Sequence, residues 1–238
     1  MLGGVPVIYG INPYKEESTP SHQLGAVGYA QDGRRFRYAK FGAALTAGEL
    51  LQTSVEDTGD QSLLVAATAI GAKEVTTVGT VTVTANQYAD GYIVATEEGG
   101  TGNGIYYRIK SHPAATGAAV TLKLYDPIQV AFSAATQIDI VKNPYGGVIQ
   151  NPTAATGSPV GVAMLATTVN YYGWIQTGGP GLVKADASGA CTVGAKLTAS
   201  NQTAGCVEDG DSGTLAVVGV AITGIAQAEF GLANLKID

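Results

Sequence analysis

Charge is scarce in this chain. Only 13% of its 238 residues are Asp, Glu, Lys or Arg, against roughly 25% in an ordinary soluble domain. A surface so poor in charge suits a chain that partners cover better than one that diffuses alone. Basic residues are few and mostly scattered, and the formal net charge is −6, so the lysine- and arginine-rich stripe that neutralises phosphates is missing. Two histidines, His22 and His112, leave little for acid–base or nucleophilic catalysis, and neither stands in a triad context. Cys191 and Cys206 are the only cysteines. They lack Cys-x-x-Cys spacing, so neither a zinc site nor a disulfide framework is expected, and free thiols are favoured. No apolar run approaches the ~18 residues of a membrane span. The opening Met1–Pro6 lacks the basic and apolar regions of a secretory signal, so assembly in the cytoplasm is expected.

What the chain does have is glycine, 33 residues of it, with Ala, Val and Thr in short runs broken by turn signals. Val75–Thr84 alternates Val and Thr; Ile105, Tyr107 and Ile109 share one face of a strand, as do Val120, Leu122 and Leu124. Asp32-Gly33 marks a hairpin, since both residues tolerate the positive φ of a type I′ turn, and Asp90-Gly91 marks another turn. Leu215–Ile225, apolar on both faces, reads as a central strand. A short helix at 47–52 is conceivable, but no stretch sustains a 3.6-residue period. The fold class is all-β: one or two β-sandwich or barrel modules with an extended N-terminal arm. The expected divisions are an arm over 1–23, a β module over 24–141, a linker or crossover over 142–159 rich in Asn, Pro and Gly, and a second β module over 160–238.

The arm carries Pro6, Pro13 and Pro20 beside Tyr9, Ile11 and Tyr14. It either docks on a neighbouring subunit or adds a strand to its own domain. Arg34, Arg35, Arg37 and Lys40 form the one dense basic patch, read as an inter-subunit contact rather than a nucleic-acid face. Tyr9, Ile11, Tyr14, Arg35 and Arg37 are thus the candidate interface residues. Glu208–Gly213 resembles part of a calcium loop without its far ligand and reads as a hairpin tip; Gly99–Gly104 is a turn, not a phosphate loop; Glu97-Glu98 are chance neighbours. No catalytic residue, metal or cofactor is expected. A faint echo links Thr46-Ala47-Gly48-Glu49-Leu50-Leu51 with Thr192-Val193-Gly194-Ala195-Lys196-Leu197, each following an aromatic strand. Duplication and ordinary hairpin grammar both account for it, with grammar slightly favoured.

The segment Leu24–Lys40 with Leu45–Leu50 resembles a stretch found in virion structural proteins of tailed bacteriophages. Gly173-Trp174-Ile175-Gln176, Gly194-Ala195-Lys196-Leu197 and Val218-Gly219-Val220-Ala221 are similar to segments of small β-rich head decoration (cement) proteins. The resemblance implies a non-catalytic subunit on the capsid exterior, with the major capsid protein and copies of itself (a trimer) as partners, and neither nucleic acid nor membrane contacted directly. The rival readings are a tail or fibre component, and a carbohydrate-binding module stacking sugars on Tyr106, Tyr107, Tyr171, Tyr172 or Trp174.

Overall fold

The structure, a computed structural model, describes residues 7–96, 100–210 and 215–238. Apart from one 3-10 turn at Thr58–Asp60, its regular structure is all strand. In chain order these are β1 (Val7–Tyr9), β2 (Glu16–Glu17), β3 (Val27–Tyr29), β4 (Arg35–Phe41) and β5 (Leu50–Gln52). Then come β6 (Leu63–Leu64), β7 (Glu74–Thr76), β8 (Val81–Val83), β9 (Tyr92–Ala95), β10 (Tyr106–Ser111), β11 (Ala115–Ala118), β12 (Thr121–Leu124) and β13 (Gln137–Val141). The last are β14 (Gly146–Gln150), β15 (Pro159–Ala163), β16 (Tyr172–Lys184), β17 (Lys196–Ala199), β18 (Val207–Asp209), β19 (Val217–Ala221) and β20 (Phe230–Lys236).

The chain divides differently from the expected plan. Among the described residues, one unit joins residues 7–55 to those of 144–238, and those of 56–143 form a second unit inserted between β5 and β14. The expected linker, 142–159, instead contributes β14 and the start of β15 to the first unit. Its Asn, Pro and Gly residues do make turns. Local composition cannot reveal that β14 pairs with β4 and β5 from across the insertion.

In the inserted unit the order β6-β13-β9-β10-β12-β7 is closed by the Val65–Thr77 bridge, giving a small antiparallel barrel. Its interior holds Val75, Ile93, Ile109, Leu122 and Ile138, the inward half of the alternation read from sequence. The Val75–Thr84 run is not one strand: it breaks at Val78-Gly79 into β7 and β8, and β8 pairs with β11. Tyr88, buried in this unit, donates its hydroxyl to the buried carboxylate of Asp60.

The first unit contains the same barrel twice. Strands β4, β14, β5, β15 and the first half of β16 form a closed circuit, with β4–β14 parallel and the other pairs antiparallel. The second half of β16, then β18, β17, β19 and β20, form another in the same order. There the parallel contact is the Ala185–Val207 bridge. The long β16 ends the first barrel and begins the second. Each barrel is fastened by a reciprocal pair of turns. Gly48 N–H donates to Ala163 O and Asn170 N–H to Phe41 O in the first; Gly194 N–H to Ala221 O and Ala228 N–H to Asp186 O in the second. All four donors have positive φ, +82°, +66°, +81° and +59°, which two of the positions meet with glycine.

The echo between Thr46–Leu51 and Thr192–Leu197 therefore marks equivalent turns, and repetition is the architecture. The sequence carries a stronger mark of the repeat. Val160-Gly161-Val162-Ala163 recurs as Val218-Gly219-Val220-Ala221, followed at equal spacing by Tyr172-Gly173 and Phe230-Gly231. Residues 47–52 form this turn and β5 rather than a helix. The Asp32-Gly33 hairpin exists, but only Gly33 has positive φ. Its bonds, Gly33 N–H to Ala30 O and Ala30 N–H to Arg34 O, make a three-residue loop with a glycine bulge.

Candidate functional site

The N-terminal segment lies on its own first barrel. β1 runs parallel to β3, β3 pairs with β4, and β2 adds to Tyr172–Gly173 of β16. Under it lies an aromatic face. Tyr38 and Trp174, cross-strand partners on β4 and β16, pack edge to face at 5.2 Å, with His22 at 5.1 Å from Tyr38 and 5.4 Å from Trp174. Gly28 lets β3 approach, since a Cβ there would sit 2.7 Å from Trp174 Cζ3. Ile8 and Ile11 complete the cover, leaving Trp174 5% exposed.

Glu17 anchors this cover. Its carboxylate accepts hydrogen bonds from the Tyr38 hydroxyl and from the Ser21 backbone and hydroxyl. Burial pushes the Glu17 acid upward, but those donors outweigh it and hold it below the usual carboxylate range. The Tyr38 hydroxyl is pushed up to about 12, by burial first and the carboxylate second. Glu16 accepts from the Thr168 N–H at 2.8 Å and its hydroxyl at 2.7 Å.

Of the candidate interface residues, Tyr9 and Tyr14 are exposed, Tyr9 stacking on Tyr29 at 5.8 Å. Ile11 is instead part of the cover over Trp174. Arg35 lies along Gly178 and lines an open cleft of about 490 Å³ with Tyr29, Lys236 and Asp238. Arg37 is engaged within the chain: it pairs with Asp238, donates to Gly25 O at 2.9 Å and lies 5.6 Å from the Tyr145 ring centre. Arg34 pairs with Asp32 at 2.7 Å. The structure thus gathers Tyr9 and Tyr14 as exposed points, while Ile11 and Arg37 are used internally.

The groups with possible chemistry have structural partners. His112 is buried; its Nε2 accepts from the Tyr88 N–H at 3.0 Å, which places the proton on Nδ1, 2.8 Å from Pro113 O. Cys191 and Cys206 are free and buried. Burial, assisted by Asp209 and Asp186, pushes the Cys191 thiol up to about 11. Asp209 accepts from the Thr192 N–H and Glu208 from the Asn201 N–H. The remainder of that acidic loop, 211–214, and the Glu97–Gly99 stretch lie outside the described residues. No group of three or more metal-ligating side chains occurs among the described residues, and no helix among them is long and apolar enough to cross a membrane.

Sequence reading missed Asp186, a buried carboxylate at the base of the second barrel. It accepts from the Ser188 N–H and hydroxyl, the Gly189 N–H and the Ser200 hydroxyl. Burial makes its acid weaker, but these donors prevail and hold it below the usual carboxylate range. The Asp-x-Ser-Gly pattern of a side-chain-capped turn was the available signal.

No family model, curated protein or solved structure matches the chain. Function therefore rests on the residues and their arrangement.

Proposed function

We propose that this chain is a non-catalytic virion structural protein, a capsid decoration or cement protein that grips the outer capsid lattice and stabilises it through subunit contacts. The observation that carries the reading is the free edge of β1. Among the described residues it pairs only with β3 and ends the sheet, and it presents exposed Val7, Tyr9 and, just beyond, Tyr14. Tyrosines beside an open strand edge are efficient contact residues, because a large ring is immobilised at small entropic cost. Low charge and repeated barrels built of small residues agree with a subunit that works by covered area, about 800 Å² per partner in a standard interface. The major capsid protein and further copies of the chain, as a trimer, are the proposed partners. Of the rings named for the carbohydrate-binding alternative, Trp174 and Tyr107, 5% and 6% exposed, are unavailable for stacking, whereas Tyr106 is 67% exposed.

The test is co-sedimentation of the full chain with capsid shells that lack it, followed by electron-microscopic localisation. Saturable binding to the shell, reduced at least tenfold by Tyr9→Ser with Tyr14→Ser, supports the reading. Density at the tail rather than the head moves the protein there; absence of binding to any virion part removes the proposal.

A further inference from the structure

The two barrels are equivalent strand by strand, yet among the described residues only the first wears a cover of added strands, while the second has just the Gly48 turn against the edge of Phe230. Their registers define the correspondence. Tyr172 faces Lys40, and Trp174 faces Tyr38, in the first barrel. Phe230 faces Lys184, and Leu232 faces Leu182, in the second. Even the cation–π contact repeats, with Lys40 6.0 Å from the Tyr172 ring centre and Lys184 5.7 Å from that of Phe230. Met164, just past β15, corresponds to Ile222, just past β19, whose N–H donates to Leu232 O.

In the first barrel Tyr38 and Trp174 are buried, and Met164 and Tyr172 partly buried, with residues 7–30 laid on this outer face. In the second, Leu182, Ile222, Phe230 and Leu232 stand 45%, 42%, 49% and 38% exposed. They form one row across β16, β20 and the end of β19. Lys184, Lys196 and Lys236 fringe the same face by strand alternation, and none forms an ion pair among the described residues. β2 adds to Tyr172–Gly173, but no strand adds to the equivalent Phe230–Gly231 among the described residues.

We propose that this face of the second barrel is a docking site for an extended, acidic segment of a partner protein, laid as residues 7–30 are laid on the first barrel. The chain itself shows the chemistry of such an occupant. Its own cover offers Ile8, Ile11 and small residues to the apolar face, and Glu16 and Glu17 to the polar groups beside it. The lysine fringe favours carboxylates in the occupant. Two copies packed face to face through this surface would set the three lysines of one against those of the other, so a second copy is disfavoured. The site holds for any partner of this chemistry and does not depend on the capsid reading.

The probe is a fluorescently labelled synthetic peptide of residues 7–30, titrated into the full chain, with backbone amide shifts followed by NMR. Saturable binding is expected, with shifts in β19, β20 and the second half of β16. Leu182→Asp with Leu232→Asp should weaken it at least tenfold, and Lys184→Glu several-fold, with unchanged circular dichroism. No binding up to about 1 mM, equal binding by the variants, or shifts confined to residues 7–41 overturns the proposal. So does sedimentation showing a homodimer that Leu232→Asp dissociates, which would give the face to a second copy. Loss of capsid binding in the shell assay with peptide binding intact would remove the virion reading alone.

Discussion

Trp174 and Leu232 occupy the same place in two copies of one barrel, and their truncations should have unequal costs. Trp174 is 5% exposed beneath Ile8, Ile11, Gly28 and His22. Trp174→Ala removes a large buried ring and leaves a cavity that the sheet beneath cannot close, at about 3–5 kcal/mol. Leu232 is 38% exposed, and full burial of such a side chain contributes only about 1.5–3 kcal/mol, so Leu232→Ala should cost about 1 kcal/mol. Urea unfolding followed by far-ultraviolet circular dichroism measures both. The barrels share β16, so both substitutions perturb one continuous sheet. If Leu232→Ala costs as much as Trp174→Ala, the second face is covered in the free protein, and the argument from unequal cover fails.

Deleting residues 1–21 should do more than remove a contact arm: it uncovers the single Trp and takes away Glu17, so Trp emission shifts to the red and the melting temperature falls. An unchanged emission maximum would show that residues 7–21 do not seal Trp174. Ala228 holds φ +59° where the equivalent turn of the first barrel has Asn170 at +66° and the reciprocal turn of its own barrel has Gly194. Ala228→Gly should therefore stabilise by up to about 1 kcal/mol, the steric penalty of the left-handed region less the added chain entropy; a loss of stability by calorimetry refutes this. Asp186 is held below its ordinary value of 3.8 in the fold, so its contribution is complete above that value and fades as pH falls through the lower folded value. Asp186→Asn should cost about 2 kcal/mol at pH 7 and flatten the decline of stability below about pH 4, as read from denaturation at several pH values.

Strand content and turn positions were legible because they are local properties. Alternation at Tyr107–Ile109 and Val120–Leu124 gave the right inward faces, and Asp90-Gly91 and Gly33 were placed where the chain reverses. Boundaries were not legible, because the turn-rich 142–159 stretch looks the same whether it links two modules or returns a chain to an earlier barrel. Among the proposed contacts, Tyr9 and Tyr14 are exposed. Ile11 and Arg37 could not be distinguished from them by residue type, since an apolar or cationic side chain contacts whichever surface lies nearest, here Trp174 and Asp238.

By itself, the sequence determined that this is an all-β chain of short strands and glycine turns, because backbone preference and period-2 burial act over a few residues. The tertiary structure alone decided that 56–143 is an insertion, that one long strand serves two copies of a barrel, and that, among the described residues, added strands cover only the first. Those outcomes depend on hydrogen-bond partners and apolar contacts more than a hundred positions apart, such as Arg37 with Asp238 or Leu45 with Thr167. Which distant surface closes over an apolar strand is fixed only when the whole chain has folded.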